Sequence, residues 1–235
     1  MIKLIASIFL IIFPLIGYSQ DISVNSGLFK SQVYGIGDFP SEFNAKSGYG
    51  VHLSLEYNKI LYSTHSNLIY GLEWKHYQHD MSLLLKDDLD KTYEFRNGTY
   101  KTDAVSFLYG MRTYLNSNPK VQYQIDALFF LSWNYNSKFS GEAYKWFNTE
   151  IIDETTEITY ESESSVRGYF PLSLGIILRP GIGIFINETN YLSIQGLLNA
   201  NVFGSLMYSY EVIDISMWNY GINVGWTFEI GKSEK

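Results

Sequence analysis

The chain has 235 residues, with 17 Lys or Arg and 24 Asp or Glu, which gives a formal net charge of −7. This acidic balance argues against nucleic acid as a partner and against a basic patch that docks on anionic lipid. The absence of cysteine excludes a disulfide framework, a thiol-linked lipid anchor and cysteine catalysis. Aromatic residues make up 17% of the chain although its mean hydropathy is close to zero, which is typical of sequences in which apolar and polar residues alternate.

The N-terminal segment has the three parts of a secretory signal peptide. Lys3 supplies a positive charge, residues 4–16 form an apolar run, and small residues follow at the −3 and −1 positions. The run is too short to cross a bilayer as a helix, and no later stretch approaches the roughly 18 apolar residues that a membrane helix needs. We therefore expect residues 1–19 to be a cleaved signal peptide and residues 20–235 to form one domain.

The remaining sequence alternates between apolar and polar residues with a period of two, which predicts β-strands. Seven segments follow this pattern clearly: 49–57, 68–77, 104–115, 121–135, 170–186, 192–210 and 218–230. An eighth, more weakly patterned strand is placed at 22–32, around Ile22, Val24 and Leu28, because a barrel of this kind needs an even number of strands. In the last of the seven, every even position from Trp218 to Ile230 is apolar, and the odd positions are Asn, Gly, Thr or Glu. In the seven segments from 49 onward, no charged residue falls on the apolar face. Because a charge that faces lipid at mid-depth costs about 2–4 kcal/mol, this face is expected to contact lipid.

The connections between the predicted strands alternate in length. Residues 116–120 and 187–190 are short, Asn-rich turns, whereas more than twenty residues separate the third strand from the fourth and the fifth from the sixth. Outer-membrane barrels have short periplasmic turns and long outer loops. The sequence therefore predicts an all-β fold, an eight-stranded antiparallel transmembrane up-and-down β-barrel with a polar filled interior, in which 218–230 closes against 22–32. The connection 58–67 is the one exception to this pattern, since it should be short but is longer than a tight turn.

Two prolines lie inside the strand predicted at 170–186. Proline has no N–H for the ladder and a closed barrel has no free edge, so Pro171 and Pro180 conflict with a regular strand. We expect a β-bulge near Pro180-Gly181. The alternative is that Arg179-Pro180-Gly181 forms a turn and changes the strand count.

Two segments carry a resemblance to a known family. Asn223-Val224-Gly225-Trp226-Thr227-Phe228-Glu229-Ile230 is similar to the C-terminal signal of outer-membrane barrels, and Pro180-Gly181-Ile182-Gly183-Ile184-Phe185 is similar to their Pro-x-x-Gly-Tyr-Phe strand, with Ile184 in place of Tyr. The chain thus resembles the small outer-membrane β-barrels of the OmpX and OmpA membrane-domain type, in the version common in Bacteroidota. The resemblance implies a location in the cell outer membrane of a Gram-negative bacterium and insertion by the barrel-assembly machinery. It implies no catalytic residue, no metal and no cofactor.

Charged residues on the polar face are expected to meet inside the barrel. They are Glu56, Glu73, Asp126 and Glu229 on the acidic side, and Lys75, Arg112 and Arg179 on the basic side. Eight strands enclose a space just wide enough for side chains, and buried charges must be paired. We expect a plug of ion pairs and amide hydrogen bonds, in which Glu229 meets Arg112 or Arg179. A gated ion path is the alternative.

One line of residues has the composition of a hydrolytic site. His52, Ser54 and Glu56 share the polar face of the second strand, and barrel-type lipid A deacylases also carry a His-x-Ser pair on a strand with a carboxylate nearby. Those enzymes act on lipid from outside the barrel, however, and Glu56 on the same strand is a poor orienting partner. The Asn that follows the pair in those enzymes is absent here. We expect no enzymatic activity.

A second cluster, His76, His79 and Asp80, lies at the outer end of the third strand. Because positions i and i+3 of a strand point to opposite faces, we expect ordinary polar residues there rather than a metal site.

Two of the outer connections are acidic. Loop 139–166 contains Glu142, Glu150, Asp153, Glu154, Glu157, Glu161 and Glu163 against Lys145. Its centre, 149–160, alternates enough to form a hairpin above the membrane, and the loop is either a solvated segment or a cation-bridged or partner-binding protrusion. Loop 80–101 contains Asp87, Asp88 and Asp90 and the hairpin signal Asn97-Gly98, but its spacing is not that of an EF-hand.

Three functions are compatible with this pattern. The favoured one is a non-enzymatic outer-membrane protein with a structural or surface-interaction role. Its partners would be outer-membrane lipid and lipopolysaccharide, the assembly machinery, and a surface partner at loop 139–166. The others are a lipid A deacylase-like enzyme and a soluble periplasmic calycin-like barrel with an apolar, lipid-binding interior. A calycin-like barrel would need an outer face rich in Lys and Glu, whereas the polar face here is rich in Gly, Ser, Asn and Gln.

Overall fold

The fold is built almost entirely from β-strands. The computed structural model describes residues 20–35, 42–61, 65–86, 92–116, 118, 120–145, 172–187, 189–203, 206–207, 212–213 and 215–229. The strands are β1 (Gln20–Gly35), β2 (Glu42–Ala45), β3 (Gly48–Leu61), β4 (Ser66–Lys86), β5 (Thr92–Tyr114), β6 (Val121–Lys145), β7 (Leu172–Phe185), β8 (Asn190–Phe203), β9 (Leu206–Met207), β10 (Val212–Ile213) and β11 (Ile215–Glu229). The described ranges contain no helix that is long and apolar enough to cross a membrane.

Eight of these strands form a closed antiparallel barrel. Their order around the barrel is β1, β3, β4, β5, β6, β7, β8 and β11, and β11 pairs back onto β1. That last pairing runs without a break from Asp21 opposite Glu229 to Gly35 opposite Ile215. The eight-stranded barrel is therefore confirmed, and so is its closure by the weakly patterned first strand.

Side chains alternate between the two faces of the barrel wall. On β11, the even positions from Trp218 to Phe228 are exposed on the outside, whereas Met217, Asn219, Asn223 and Thr227 are buried inside. The same alternation holds around the barrel, and Leu28 and Ile222 are 69% and 61% exposed. The outer face is thus apolar and the inner face mostly polar.

The connections between β3 and β4, between β5 and β6, and between β7 and β8 are short and lie at one end of the barrel, together with Gln20 and Glu229. The third short connection is residues 62–65, since β3 extends to Leu61 and β4 begins at Ser66. The expectation that 58–67 is too long for a tight turn was therefore wrong, because the strands extend into it.

Asparagine side chains replace missing backbone partners in the other two short turns. Asn118 Oδ1 accepts from the N–H groups of Lys120 and Val121, at 2.9 and 3.3 Å. Asn187 Oδ1 accepts from the Thr189 N–H at 3.0 Å. These bonds explain why the turns are rich in asparagine.

Strands β4, β5 and β6 extend far beyond their predicted ends. Asn97-Gly98 does not form a turn but lies within β5, where it pairs with β4 on one side and β6 on the other. The expected loop 80–101 is therefore mostly a hairpin of long strands, and the start of the expected loop 139–166 belongs to β6. The short strand β2 pairs with the outer end of β4.

The seventh predicted strand, 192–210, is too long at its outer end. β8 ends at Phe203, and β9 pairs with β10 in a separate two-stranded sheet. Leu206 therefore belongs to this separate sheet and not to the barrel strand, and residues 208–210 lie outside the described residues. A two-residue period cannot distinguish one long strand from a strand followed by a hairpin.

The bulge expected at Pro180 is absent. β7 is continuous through Pro180, and its register with β6 is unbroken. The ladder with β8 has the same register at Leu178 and Gly181 but lacks the pairs in between. Opposite lies Gly196, where an added Cβ would approach nothing closer than 3.7 Å. The N–H that Pro180 lacks therefore leaves a local gap in the ladder between β7 and β8 and causes no change of register. The register between these strands shifts at Leu174/Gly175 instead.

Several sequence-based predictions fall outside the described residues. They concern the signal peptide 1–19, Pro171, Asp87, Asp88 and Asp90, and the part of the acidic loop that follows Lys145.

Candidate functional site

The centre of the barrel contains a four-residue ion-pair network. Arg112, Asp126 and Arg179 are direct neighbours on β5, β6 and β7, and Glu56 lies on β3. Arg112 donates to both Asp126 carboxylate oxygens, at 2.7 and 3.0 Å. Arg179 donates to both Glu56 oxygens, also at 2.7 and 3.0 Å, and lies 3.0 Å from Asp126 Oδ2. All four side chains are buried. The Arg112–Asp126 and Arg179–Glu56 pairs are both bidentate, which is the strongest geometry for an arginine–carboxylate pair.

Neutral polar side chains complete the hydrogen bonds of these carboxylates. Ser54 donates to Glu56 Oε1 at 2.9 Å, and Gln195 donates to Asp126 Oδ2 at 2.9 Å. Asn223 Nδ2 in turn donates to the side-chain oxygen Oε1 of Gln195 at 2.7 Å. Arg112 donates to the Tyr191 hydroxyl. The network therefore links side chains from β3, β5, β6, β7, β8 and β11.

A second ionic cluster lies next to the first, toward the long connections. Glu73 Oε2 is 2.8 Å from Lys75 Nζ, and Glu73 Oε1 is 3.1 Å from His52 Nδ1. Lys75 Nζ also lies 4.4 Å from the centre of the Phe130 ring, within the range of a cation–π contact. The side chains of Glu73, Lys75 and His52 are almost fully buried.

Aromatic rings fill the interior beyond the second cluster. His79 is stacked between Tyr77 and Tyr100, with ring centroids 6.4 and 5.8 Å apart. Outward-facing residues of β4 are apolar from Leu68 to Trp74 and polar from His76 to Ser82, so His79 lies beyond the apolar part of the outer face of this strand. Burial lowers the pKa of His79 to about 4, and the neighbouring Asp80 opposes this effect.

Glycines make room for the largest interior rings. A Cβ at Gly50 would lie 2.3 Å from the Phe29 ring, one at Gly27 2.3 Å from His52, and one at Gly175 2.6 Å from Phe130. A side chain larger than glycine at these three positions would therefore collide with the neighbouring ring. Sequence reasoning missed these pairs, and it also missed Tyr191 as a partner of Arg112, because register across strands is needed to find them.

The predicted inward charges are largely confirmed. Glu56, Glu73, Asp126, Lys75, Arg112 and Arg179 all lie in the interior and are paired. Arg112 and Arg179 both contact Asp126, and the expected contact of Glu229 with one of them stays a prediction. The side chain of Glu229 lies outside the described part of the structure.

The residues considered for a hydrolytic site or a metal site do not come together in one site. His52 lies beside Glu73, whereas Ser54 donates to Glu56 and accepts from Asn25 at 3.2 Å. His76 faces outward and lies 2.8 Å from Asp103, whereas His79 faces inward. Among the described residues, no three His, Asp or Glu side chains come together in a way that would hold a metal ion.

A small cavity opens at the end with the short turns. Its volume is about 260 Å³, and its lining includes Asp21, Asn67, Tyr114 and Tyr191. Because Tyr191 also binds Arg112, the central ion-pair network lies directly beyond this cavity.

The chain is similar in fold to solved outer-membrane barrels but matches no known family. No protein-family profile and no curated protein matches the sequence. Neisserial surface protein A is 9% identical over 90% of this chain and 97% of its own, with a TM-score of 0.46. OprG from Pseudomonas aeruginosa is 12% identical over 91% and 99%, with a TM-score of 0.44. Ail from Yersinia pestis, solved with the heparin analogue sucrose octasulfate, is 10% identical over 90% and 100%, with a TM-score of 0.35.

The geometry of the chain itself defines its class. It is an eight-stranded antiparallel β-barrel with an apolar outer face and an interior closed by ion pairs.

Proposed function

We propose that this chain is an integral β-barrel protein of the bacterial outer membrane. One observation carries the proposal: large apolar side chains cover the outside of the barrel while Arg, Lys, Glu and Asp are buried within it. In water this arrangement would expose the apolar surface and bury the charges, the opposite of what a soluble protein needs. In a bilayer the same arrangement satisfies both faces. Export by the N-terminal segment and insertion by the barrel-assembly machinery belong to this proposal.

The arrangement argues against a soluble barrel that carries a lipophilic ligand. A calycin-like protein needs an apolar cavity inside and a charged surface outside. Here the lumen is crossed by the Arg179–Glu56 and Arg112–Asp126 pairs. On the outside, the apolar side chains of Phe129 and Val202 are 63% and 64% exposed.

We further propose that the barrel has a structural or surface-interaction role and is neither a channel nor an enzyme. Two ionic clusters and the aromatic rings around His79 occupy the lumen one after another, which supports a closed interior. The Ser54 hydroxyl is directed at Glu56 inside the barrel, which is a poor position for attack on membrane lipid. The surface role is assigned to the end with the long connections, where β4, β5 and β6 extend beyond the lipid-facing part of the wall and where the acidic segment within 139–166 is inserted.

Extraction and migration on gels test the membrane assignment. Protein in isolated outer membranes should resist high salt, carbonate and osmotic shock and should require detergent for release. Unheated and heated samples should migrate differently in SDS gels, since a closed barrel resists SDS until it is boiled. Release by osmotic shock without detergent would contradict the proposal.

Planar-bilayer recording and lipid analysis test the functional part. Purified barrel should give no stable conductance steps, and deletion of the gene should leave the lipid A mass spectrum unchanged. Stable channels that respond to substitution of Arg112 would support the gated path instead, and an altered acylation pattern of lipid A would support an enzyme.

A further inference from the structure

The outer wall of the barrel is not uniformly convex. A groove with a volume of about 950 Å³ runs over β11, β1 and β3 to the edge of β4. It passes over Ser26, a small outward-facing residue whose ladder neighbours are Val224 on β11 and Leu53 on β3. Because the side chains around Ser26 are large, the wall is depressed at this point.

The polarity of the groove changes along the strands. Leu28, Val51, Ile222 and Val224 form its apolar part, and these side chains belong to the exposed outer face. Lys30, His76 and Gln78 line the part that lies toward the long connections. The groove is apolar toward the short turns and cationic or polar toward the long connections. This matches an amphiphile whose head group points toward the long connections.

Lys30 is the centre of the polar part. It stands in register between Tyr220 on β11 and Tyr49 on β3, and all three residues line the groove. A lysine ammonium attracts phosphate as a point charge, and the two phenol hydroxyls can donate to the same oxygen atoms. An outward-facing lysine at the edge of a lipid-facing surface is expensive unless it reaches an anionic group or water.

The neighbouring acidic group does not compete for Lys30. Asp103 is close to the groove because it pairs with His76, but its Oδ1 is 2.8 Å from His76 Nδ1 and its Oδ2 accepts from Asn136 at 2.7 Å. The side chains that line the groove include no Asp or Glu among the described residues. The end of the groove that lies toward the long connections therefore carries the positive charge of Lys30, although the chain as a whole is acidic.

We propose that this groove binds one phosphorylated glycolipid of the outer leaflet. Lys30 binds a phosphate of its head group, with Tyr49 and Tyr220 on either side, and an acyl chain lies along Leu28 and Ile222. The inference rests on the proposed function, because the groove meets lipid only if the barrel spans the membrane. It goes further in assigning a specific, saturable lipid site to one sector of the wall.

Native mass spectrometry of the full-length barrel in mild detergent tests the site. The probes are lipid A with two phosphates, the same lipid A with both phosphates removed, and phosphatidylglycerol. Lys30→Gln removes the charge. The matched control is Lys59→Gln, the same substitution on the neighbouring strand at the opposite end of the barrel, outside the groove. Ser26→Phe keeps Lys30 but fills the apolar part.

The expected result is one bound diphosphoryl lipid A per barrel. Lys30→Gln should weaken this binding about tenfold, as expected for one charge-assisted contact. Ser26→Phe should weaken it as well, and Lys59→Gln should leave it unchanged. Equal binding of dephosphorylated lipid A, equal competition by phosphatidylglycerol, or unchanged binding in Lys30→Gln or Ser26→Phe would each overturn the site.

The failure of this site can be distinguished from failure of the proposed function. Every variant is also compared in heated and unheated SDS gels. A barrel that needs detergent and is heat-modifiable but binds lipid A without Lys30 overturns only the lipid site. A chain that is released by osmotic shock overturns the membrane assignment itself.

Discussion

Arg179 and Glu56 lie on opposite walls of the barrel and meet in its centre. β7 lies four positions from β3 around the barrel in either direction, yet the two side chains form paired contacts of 2.7 and 3.0 Å. Asp126 joins them through Arg179 Nη2 at 3.0 Å. This contact therefore bridges the lumen from one wall to the other.

Loss of Arg179 should destabilise the barrel strongly. Arg179→Met leaves the Glu56 carboxylate buried without its main partner, and removal of one member of a buried pair costs about 3–5 kcal/mol. Urea unfolding of the barrel in lipid vesicles, followed by tryptophan fluorescence, measures this cost. The double variant Glu56→Gln/Arg179→Met should lose less than the sum of the two single variants. Strict additivity would mean that the two side chains do not interact.

Arg112→Ala should weaken the barrel without opening it. Arg112 has two bonds to Asp126 and one to Tyr191, so a loss of about 3–5 kcal/mol is expected in the same unfolding experiment. The Arg179–Glu56 pair and the aromatic rings still fill the lumen. Planar-bilayer recording should therefore show no channel in either protein, and new conductance steps in the variant would contradict the closed interior.

Gly50 should be far less tolerant of substitution than Gly196. A Cβ at Gly50 would lie 2.3 Å from the Phe29 ring and 2.7 Å from a backbone oxygen, whereas a Cβ at Gly196 would approach nothing closer than 3.7 Å. Gly50→Ala should cost about 1–3 kcal/mol through overpacking, and Gly196→Ala should change stability by no more than about 0.5 kcal/mol. Equal urea midpoints for the two variants would show that the ring of Phe29 does not fill this space.

Stability should fall as the solution is acidified, because His79 is buried. The pKa of His79 is lowered to about 4 in the folded barrel, compared with 6.5 for an ordinary histidine. The unfolded chain therefore binds a proton between these values while the folded barrel does not. The contribution of His79 is fully present above about pH 6.5 and is lost as the pH falls toward 4, by up to about 3 kcal/mol.

His79→Phe provides the control for this pH dependence. The substituted ring can stack between Tyr77 and Tyr100 but cannot bind a proton. The free energy of unfolding of the variant should therefore change less than that of the natural protein between pH 7 and pH 4. An identical slope in both proteins would assign the pH dependence to other groups.

The sequence predicted the barrel because its signal is repeated in every strand. Alternation is read from one strand at a time, so the outward apolar positions of β11 and the inward charges Glu56, Arg112 and Arg179 could be found without a structure. The number of strands followed from the count of alternating segments and from the even number that such a barrel needs, and the placing of turns and loops followed from the alternating lengths of the connections.

The errors occurred where neighbouring strands decide the outcome. Asn97-Gly98 has the composition of a tight turn but is held in β5 by pairing on both sides. Pro180 suggested a bulge, but the ladder with β8 lacks only the two pairs between Leu178 and Gly181 and keeps the same register on both sides. The link between Arg179 and Glu56 depends on their register across the lumen, and the alternation of either strand contains no information about that register.

Labelling along β11 tests the central claim most directly. The natural chain has no cysteine, so single cysteines from position 219 to 227 can be labelled without background. In lipid vesicles, a fluorophore at the even positions should be quenched by spin-labelled lipids, most strongly near Ile222 and Val224. Cysteines at the inward positions 219, 223 and 227 should resist both water-soluble and lipid-soluble maleimides while the barrel is folded. Gly221 and Gly225 are left unchanged, because an added Cβ would lie 2.0 Å from Leu28 O or Asn25 Oδ1. Even positions that react with a membrane-impermeant maleimide and escape quenching by lipid would contradict a barrel with its apolar face in the membrane.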